Sequence, residues 1–443
     1  MSSRRMARAL RRVWHPKDEA DHREACLNKP FMVTVPPKGD TCDTCPVKNL
    51  PPELLSRIFE FGGTDSQGAR QVKNGNGHVL CDLVGIFPEQ IDTGSKGLTV
   101  DEFFGSSSSF QINVSLVSRH WYNVAISTPS LWTTITCPSL PYAYPSNTHL
   151  SNLLKRSNGL PIDIDLGRGC QPDAYPLLVP HVHRWHSVKA EFHSSESADA
   201  FLHAVSHPSI SAASRLTTLQ LSFRPDEDSR ELEQYTLFCG SAPYLERLTL
   251  WGVHVDWNQA WISSASNLTY LQLGFHADNV RPSWVQFATI LRGAPVLTTL
   301  KLHISASDLI DWPITSDDGT AAENLMPPIQ LLKLMNFSIA LRSDCATGLF
   351  CVLYMPSLTS LTLNLYDDPN IFIRCLAGPP TSLAPPSPGE TPHSLLSQLE
   401  NLNIVCQFTC LPWIELLYEE LQNLKSLSIA SHPPSMEPLV LVS

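Results

Sequence analysis

The sequence predicts an α/β protein in two parts, a short helical module followed by an irregular stack of strand-and-helix units. Three observations predict it. A Leu-x-x-Leu-x-Leu phrase recurs through the second half, stretches of helical spacing separate its copies, and a block of apolar and aromatic residues precedes them all. At 443 residues the chain is long for one globular core, and 43% apolar residues suffice to bury a substantial interior.

Residues 1–46 read as a flexible leader, polar and irregular, ending in Pro36-Pro37-Lys38-Gly39-Asp40. Its run of Arg4, Arg5, Arg8, Arg11 and Arg12 is followed by Asp18, Glu19, Asp21 and Glu24, the balance of a solvated segment. Residues 47–135 hold the helical module. Asn49-Leu50-Pro51-Pro52-Glu53 opens its first helix, because a proline in the first turn gives up an N–H that has no partner there. Leu54, Leu55, Ile58 and Phe59 share one side by their spacing, and Gly62-Gly63 is expected to end the helix. A second helical segment is expected from Ile112 through Leu116, Val117 and Trp121 to Ser127, closed by Thr128-Pro129-Ser130-Leu131-Trp132. Between the halves, residues 62–109 are rich in Gly, Ser and Asn. They read either as a surface insertion, whose length costs only slowly growing closure entropy, or as translated non-coding sequence.

Residues 136–443 carry the repeats. Clear copies begin at Leu216, Leu245, Leu268, Leu297, Leu358, Leu399 and Leu424. The fourth positions 219, 248, 271 and 300 lie 29, 23 and 29 residues apart. Ile329, Leu332 and Leu334 read as a degenerate copy, Trp185, Val188 and Ala190 as a further one. The alternation closing each phrase fits a strand with one face buried. Leu232, Tyr235, Leu237 and Phe238 before Gly240, and Trp284, Phe287, Ile290 and Leu291 before Gly293, fit helices with glycine stops. The pattern resembles a leucine-rich repeat, which implies units stacked into an uneven solenoid; an ordinary α/β domain with coincidental phrases is the competing reading. A proline-rich segment at 378–393 reads as a loop between units.

The helical module resembles an F-box. The family motif begins Leu-Pro-x-Glu-Leu-Leu with a following Ile, here Leu50 through Ile58. It ends Val-x-Arg-x-Trp and Ser-Thr-Pro-x-Leu-Trp, here Val117 through Trp121 and Ser127 through Trp132. The Leu160–Leu166 strand and the stretch His181–Val188 are similar to the large fungal branch of that family. The departure is the 62–109 stretch, where the family has a short connection. The resemblance implies three helices that dock on the Skp adaptor of a cullin-containing ubiquitin ligase, with Pro51, Leu54, Leu55, Ile58, Val117 and Trp121 as candidate adaptor-binding residues. A protein target, unidentified, would then bind the solenoid. The middle residue of each Leu-x-Leu strand points away from the core, so Gln220, Thr249, Gln272, Lys301, Thr362, Asn403 and Ser428 are the candidate target-binding surface. The alternative is a leucine-rich scaffold acting outside any ligase.

Composition narrows the other classes. A net charge of −11 argues against a nucleic-acid partner, and no apolar stretch approaches the length of a membrane span. The chain reads as cytoplasmic or nuclear, where 12 cysteines are small buried hydrophobes rather than a disulfide framework. Cys42-x-x-Cys45 has no second pair at finger spacing, and His181, His183, His186 and His193 have no acidic residue spaced with them. No hydrolase elbow, phosphate-binding glycine loop or kinase signature occurs. No catalytic residue, metal or cofactor is therefore expected.

Overall fold

A computed structural model describes residues 50–63, 108–137, 147–167, 170, 172–223, 234–274, 281–304, 312, 328–378, 394–406 and 412–431. The elements from Pro51 onward belong to one compact unit, Pro51–Ser443. The leader (1–46), Cys42, Cys45, most of the 62–109 stretch and the proline-rich loop beyond Gly378 lie outside the described residues.

Pro52 starts helix α1 (52–63), and the Pro51 carbonyl accepts from Leu54 N at 3.0 Å and Leu55 N at 3.1 Å. Gly62 and Gly63 are the last described residues of the helix, and a side chain at Gly62 would collide with the ring of Phe110. Glycine at position 62 therefore makes room for a neighbour as well. The expected second segment is two helices, α2 (Ser108–Leu116) and α3 (Arg119–Ile126). They part at Ser118, whose extended backbone lets its hydroxyl accept from Trp121 N at 3.1 Å as the N-cap of α3. The two halves of the module, far apart in sequence, pack together. Phe59 lies 5.2 Å from Trp121, and Thr128 Oγ1, which donates to the Val124 carbonyl at 2.7 Å, is also hydrogen-bonded to Ser56 Oγ at 2.9 Å. Leu131 and Trp132 are buried beneath them, with Trp132 Nε1 donating to the Ala125 carbonyl at 2.8 Å.

The chain then lays down β1 (Thr134–Cys137), α4 (Asn147–Arg156), β2 (Ile162–Leu166), α5 (Tyr175–Leu178), β3 (Trp185–Phe192), α6 (Ser195–Ser206), β4 (Thr218–Phe223) and β5 (Arg247–Trp251). After these come α7 (Ala260–Ser263), β6 (Tyr270–Gly274), α8 (Trp284–Arg292), β7 (Thr299–His303), β8 (Ile329–Gln330) and β9 (Asn336–Leu341). It continues with α9 (Ser343–Val352), β10 (Leu353–Tyr354), β11 (Ser360–Leu365), α10 (Asn370–Ala377), β12 (Asn401–Cys406), α11 (Pro412–Glu420) and β13 (Ser426–Ser431). Among the described residues, eleven strands form one parallel sheet in chain order, with β8 and β10 paired apart. The protein is thus α/β with a large parallel sheet.

The repeated phrase sets the register. Leu219, Leu248, Leu271 and Leu300 are paired strand to strand, and Leu221, Leu250, Leu273 and Leu302 likewise two residues on. Both rows are fully buried in a core running from Ile135 to Leu417. A second device ties unit to unit. The threonine just before the strand donates its hydroxyl to a carbonyl of the preceding unit: Thr217 to His186, Thr269 to Glu246, Thr298 to Thr269 and Thr359 to Met335, at 3.1, 3.1, 2.9 and 3.3 Å.

Two expectations change. The degenerate copy at Ile329, Leu332 and Leu334 is misplaced by five residues; the sheet strand is β9, where Phe337 pairs with Leu300 and Ile339 with Leu302, while Leu332 is exposed. No α-helix forms before Gly240: Tyr235 bridges Val255, and Leu237–Gly240 is only a single short 3-10 turn in which Phe238, Cys239 and Gly240 have left-handed φ of 54°, 50° and 71° (Leu232 lies outside the described residues). Helix α8 forms as expected on its Ser283–Gln286 capping box. Gly293 closes it as the C-cap, with an ordinary φ of −74°, and a Cβ there would strike the Ser263 carbonyl of α7.

Candidate functional site

Two surfaces hold the residues singled out from the sequence. On α1 the four apolar positions expected to share one side divide. Leu55 and Phe59, four apart, are fully buried, whereas Leu54 is 53% exposed and Phe61 71% exposed, with Ile58 half-buried between them. Positions i, i+4 and i+7 make one stripe, so Leu54, Ile58 and Phe61 face outward together. Ile112 and Leu116 repeat the pattern on α2, Leu116 being 77% exposed, and Val117 at the α2–α3 joint is 47% exposed. Pro51 is exposed, and Trp121 is half-buried against Phe59. Of the fifteen large apolar side chains exposed among the described residues, six belong to these three helices and their joint. Scattered exposed apolar residues need no explanation, but a concentration on one small module marks a surface suited to burial against a partner.

The second surface is the polar face of the sheet. The residues between the leucines pair in an unbroken row, Gln220 to Thr249 to Gln272 to Lys301, then Ser338, Thr362, Asn403 and Ser428. All seven expected positions therefore lie on one line across the sheet. The row extends backward through Lys189, Asp165 and Thr136, which together with Ser338 were not singled out from the sequence. Their signal was present in the alternations Ile135-Thr-Cys137, Ile164-Asp-Leu166 and Val188-Lys-Ala190, whose second apolar position is not a leucine in two of three. Ser338 was hidden by the misplaced copy. The flanking rows were missed too, and they hold the larger side chains: Arg247 over the ring of Tyr270 at 4.3 Å, and Trp251 5.1 Å from His303.

The histidines and cysteines sort differently. His186 does have an acidic neighbour, correcting the sequence reading: Asp163 comes from the adjacent strand, placing Oδ1 3.0 Å from His186 Nδ1. His181 and His183 lie in the turn before β3, their rings 6.4 Å apart. Cys137, Cys170, Cys345 and Cys406 are buried and outside any disulfide. Among the described residues, no group of three His, Cys, Asp or Glu side chains could hold a metal ion, and no helix is long and apolar enough to cross a membrane. No protein-family model matches the chain, and no curated protein matches it.

Proposed function

We propose that this protein is a substrate receptor of a Skp-cullin-F-box ubiquitin ligase, an adaptor without chemistry of its own. Helices α1–α3 act as the F-box and dock the Skp adaptor, and the strand stack acts as a leucine-rich solenoid that holds a protein target. One observation carries the reading. The three short helices that carry the F-box motif, with their joint, hold six of the fifteen large apolar side chains exposed among the described residues, Leu54 and Val117 of the motif itself among them. Leu54, Ile58, Val117 and Pro51 then meet the adaptor, Trp121 contributes its outer edge, and Leu55 supports them from the module's core.

The experiment is affinity purification of the full chain from eukaryotic cells, with the Skp adaptor and a cullin probed in the eluate. Both are expected, and both should be lost together in the double variant Leu54→Ala with Ile58→Ala. Recovery of other protein partners without either ligase subunit would favour the leucine-rich scaffold reading.

A further inference from the structure

Strand β13 is the last strand of the sheet among the described residues. Its register partners in β12, Leu402 and Ile404, are buried, as are Leu361 and Leu363 in β11 beyond them. Leu427 and Ile429 continue the same two rows but are 38% and 39% exposed, and every residue from Ser426 to Ala430 is exposed. The backbone is arranged likewise. Ser426 N donates to the Glu400 carbonyl at 3.1 Å, so the parallel ladder turns the backbone groups of Ser426, Ser428 and Ala430 toward β12. Those of Leu427 and Ile429 turn the other way, to the edge. Edge strands are ordinarily guarded by a charge, a proline or a bulge. β13 carries none of these: it pairs with β12 residue for residue, its sequence Ser-Leu-Ser-Ile-Ala-Ser is uncharged, and Lys425 just before it is held by Glu400 at 2.8 Å. The strand is also complementary to itself. Reversed about Ser428, it sets Leu427 opposite Ile429, Ser426 opposite Ala430 and Ser428 opposite its own copy. The two residues whose backbone groups face the edge then meet each other, and opposed residues of that kind exchange both N–H···O bonds. Moving the axis by one residue sets Lys425 against Ile429 or Leu427 against Ser431, and an axis between residues sets edge-facing groups against groups bonded to β12.

We propose that β13 is a homodimer interface, at which two copies of the chain pair antiparallel, edge to edge, about a two-fold axis at Ser428. Such an interface is isologous, each residue meeting in the partner the one that meets it, and the self-complementary register supplies this. Leu427 and Ile429 of both copies then lie on the core side of one continuous sheet. The contact is one short strand, well below a standard interface, so a dissociation constant of roughly micromolar order is expected. The edge lies at the opposite end of the strand order from β1, which follows the helical module, and the dimer does not depend on the ligase reading.

The test is sedimentation of the full chain from about 1 to 100 μM, over which monomer should give way to dimer. Ser428→Lys and Ser428→Glu each set like charges directly opposite across the axis, where side chains approach most closely, and each should weaken association at least about tenfold. Ser428 is exposed on the polar face, so both variants should keep the parent's melting temperature. An equimolar mixture of the two should dimerise at least as well as the parent, because lysine then faces glutamate. In the parent itself, whichever variants fold, the Leu427 and Ile429 amides should exchange hydrogen faster on dilution. A chain that stays monomeric throughout overturns the interface, and protection of those two amides in the monomer would assign the edge to residues 432–443, which lie outside the described residues. Undiminished association of either folded variant, or no recovery in their mixture, overturns the pairing about Ser428.

Discussion

Arg184 shows what single residues do within the strand stack. It is buried, yet its hydrogen bonds are to neutral groups, from Nε to the Leu160 carbonyl at 2.9 Å and from Nη2 to Ser157 Oγ at 2.7 Å. Both acceptors lie just past the end of α4, where helix carbonyls lack partners and favour a cation. Gln259 plays a similar role, its amide accepting from Leu237 N and Trp261 Nε1 and donating to the Tyr235 and Asp256 carbonyls. Nothing in the sequence marks either residue, because partners such as Leu160 for Arg184 and Leu237 for Gln259 lie more than twenty residues away. Tyr175 gives a test at this scale. Burial pushes its phenol up to about 12 from the ordinary value near 10, with Ser197 hydrogen-bonded at 3.0 Å. The folded state therefore holds the proton more tightly than the unfolded one, and the associated stability is complete below about pH 10 and lost as pH rises through 12. Between pH 10 and 12 the unaltered protein should lose roughly 1–3 kcal/mol more than Tyr175→Phe. Parallel denaturant titrations of the two proteins measure it, and identical pH profiles would contradict it.

Strands were the most legible elements, and the reason is physical. A side chain every second residue must enter the core, so Leu-x-Leu at Leu219, Leu248, Leu271 and Leu300 declares both the strand and its register. Where the apolar residue changes, as at Phe337 and Ile339, a nearby leucine pair outside the sheet was a better literal match and drew the reading away. Glycines were read as stops, and Gly293 does cap its helix, but Gly62 and Gly293 also serve close packing, and of the glycines so read Gly240 takes the left-handed φ. Those packing partners, Phe110 and the Ser263 carbonyl, cannot be inferred from local spacing. The threonine ties are the element-scale prediction. Thr298→Val keeps the side chain's shape but removes the 2.9 Å bond to Thr269, leaving that carbonyl its backbone partners Thr298 N and Thr299 N. A loss of about 1 kcal/mol in unfolding free energy is expected, with adaptor binding unchanged. A variant as stable as the parent would mean that the threonine pattern does not hold the stack together.

At the scale of the whole molecule, the protein separates two surfaces of different chemistry. The helices present apolar side chains, as suits a partner buried by water exclusion, while the sheet presents an unbroken polar row from Gln220 to Ser428. Motif spacing located the helical residues but could not divide them, since Leu54 and Leu55 are neighbours whose difference arises only when Phe110, Trp121 and Leu131 pack from other elements. That division supplies the most direct measurement of the central claim: affinity for the purified Skp adaptor and melting temperature, determined side by side for Leu54→Ala and Leu55→Ala. Leu54→Ala should lose about 2 kcal/mol of binding, more than tenfold, with its melting temperature nearly unchanged. Leu55→Ala should lose about 2–5 kcal/mol of stability, since its side chain is fully buried. A folded Leu54→Ala protein that binds the adaptor as tightly as the parent, or a parent that does not bind it, would contradict the assignment of these helices as the ligase-docking module.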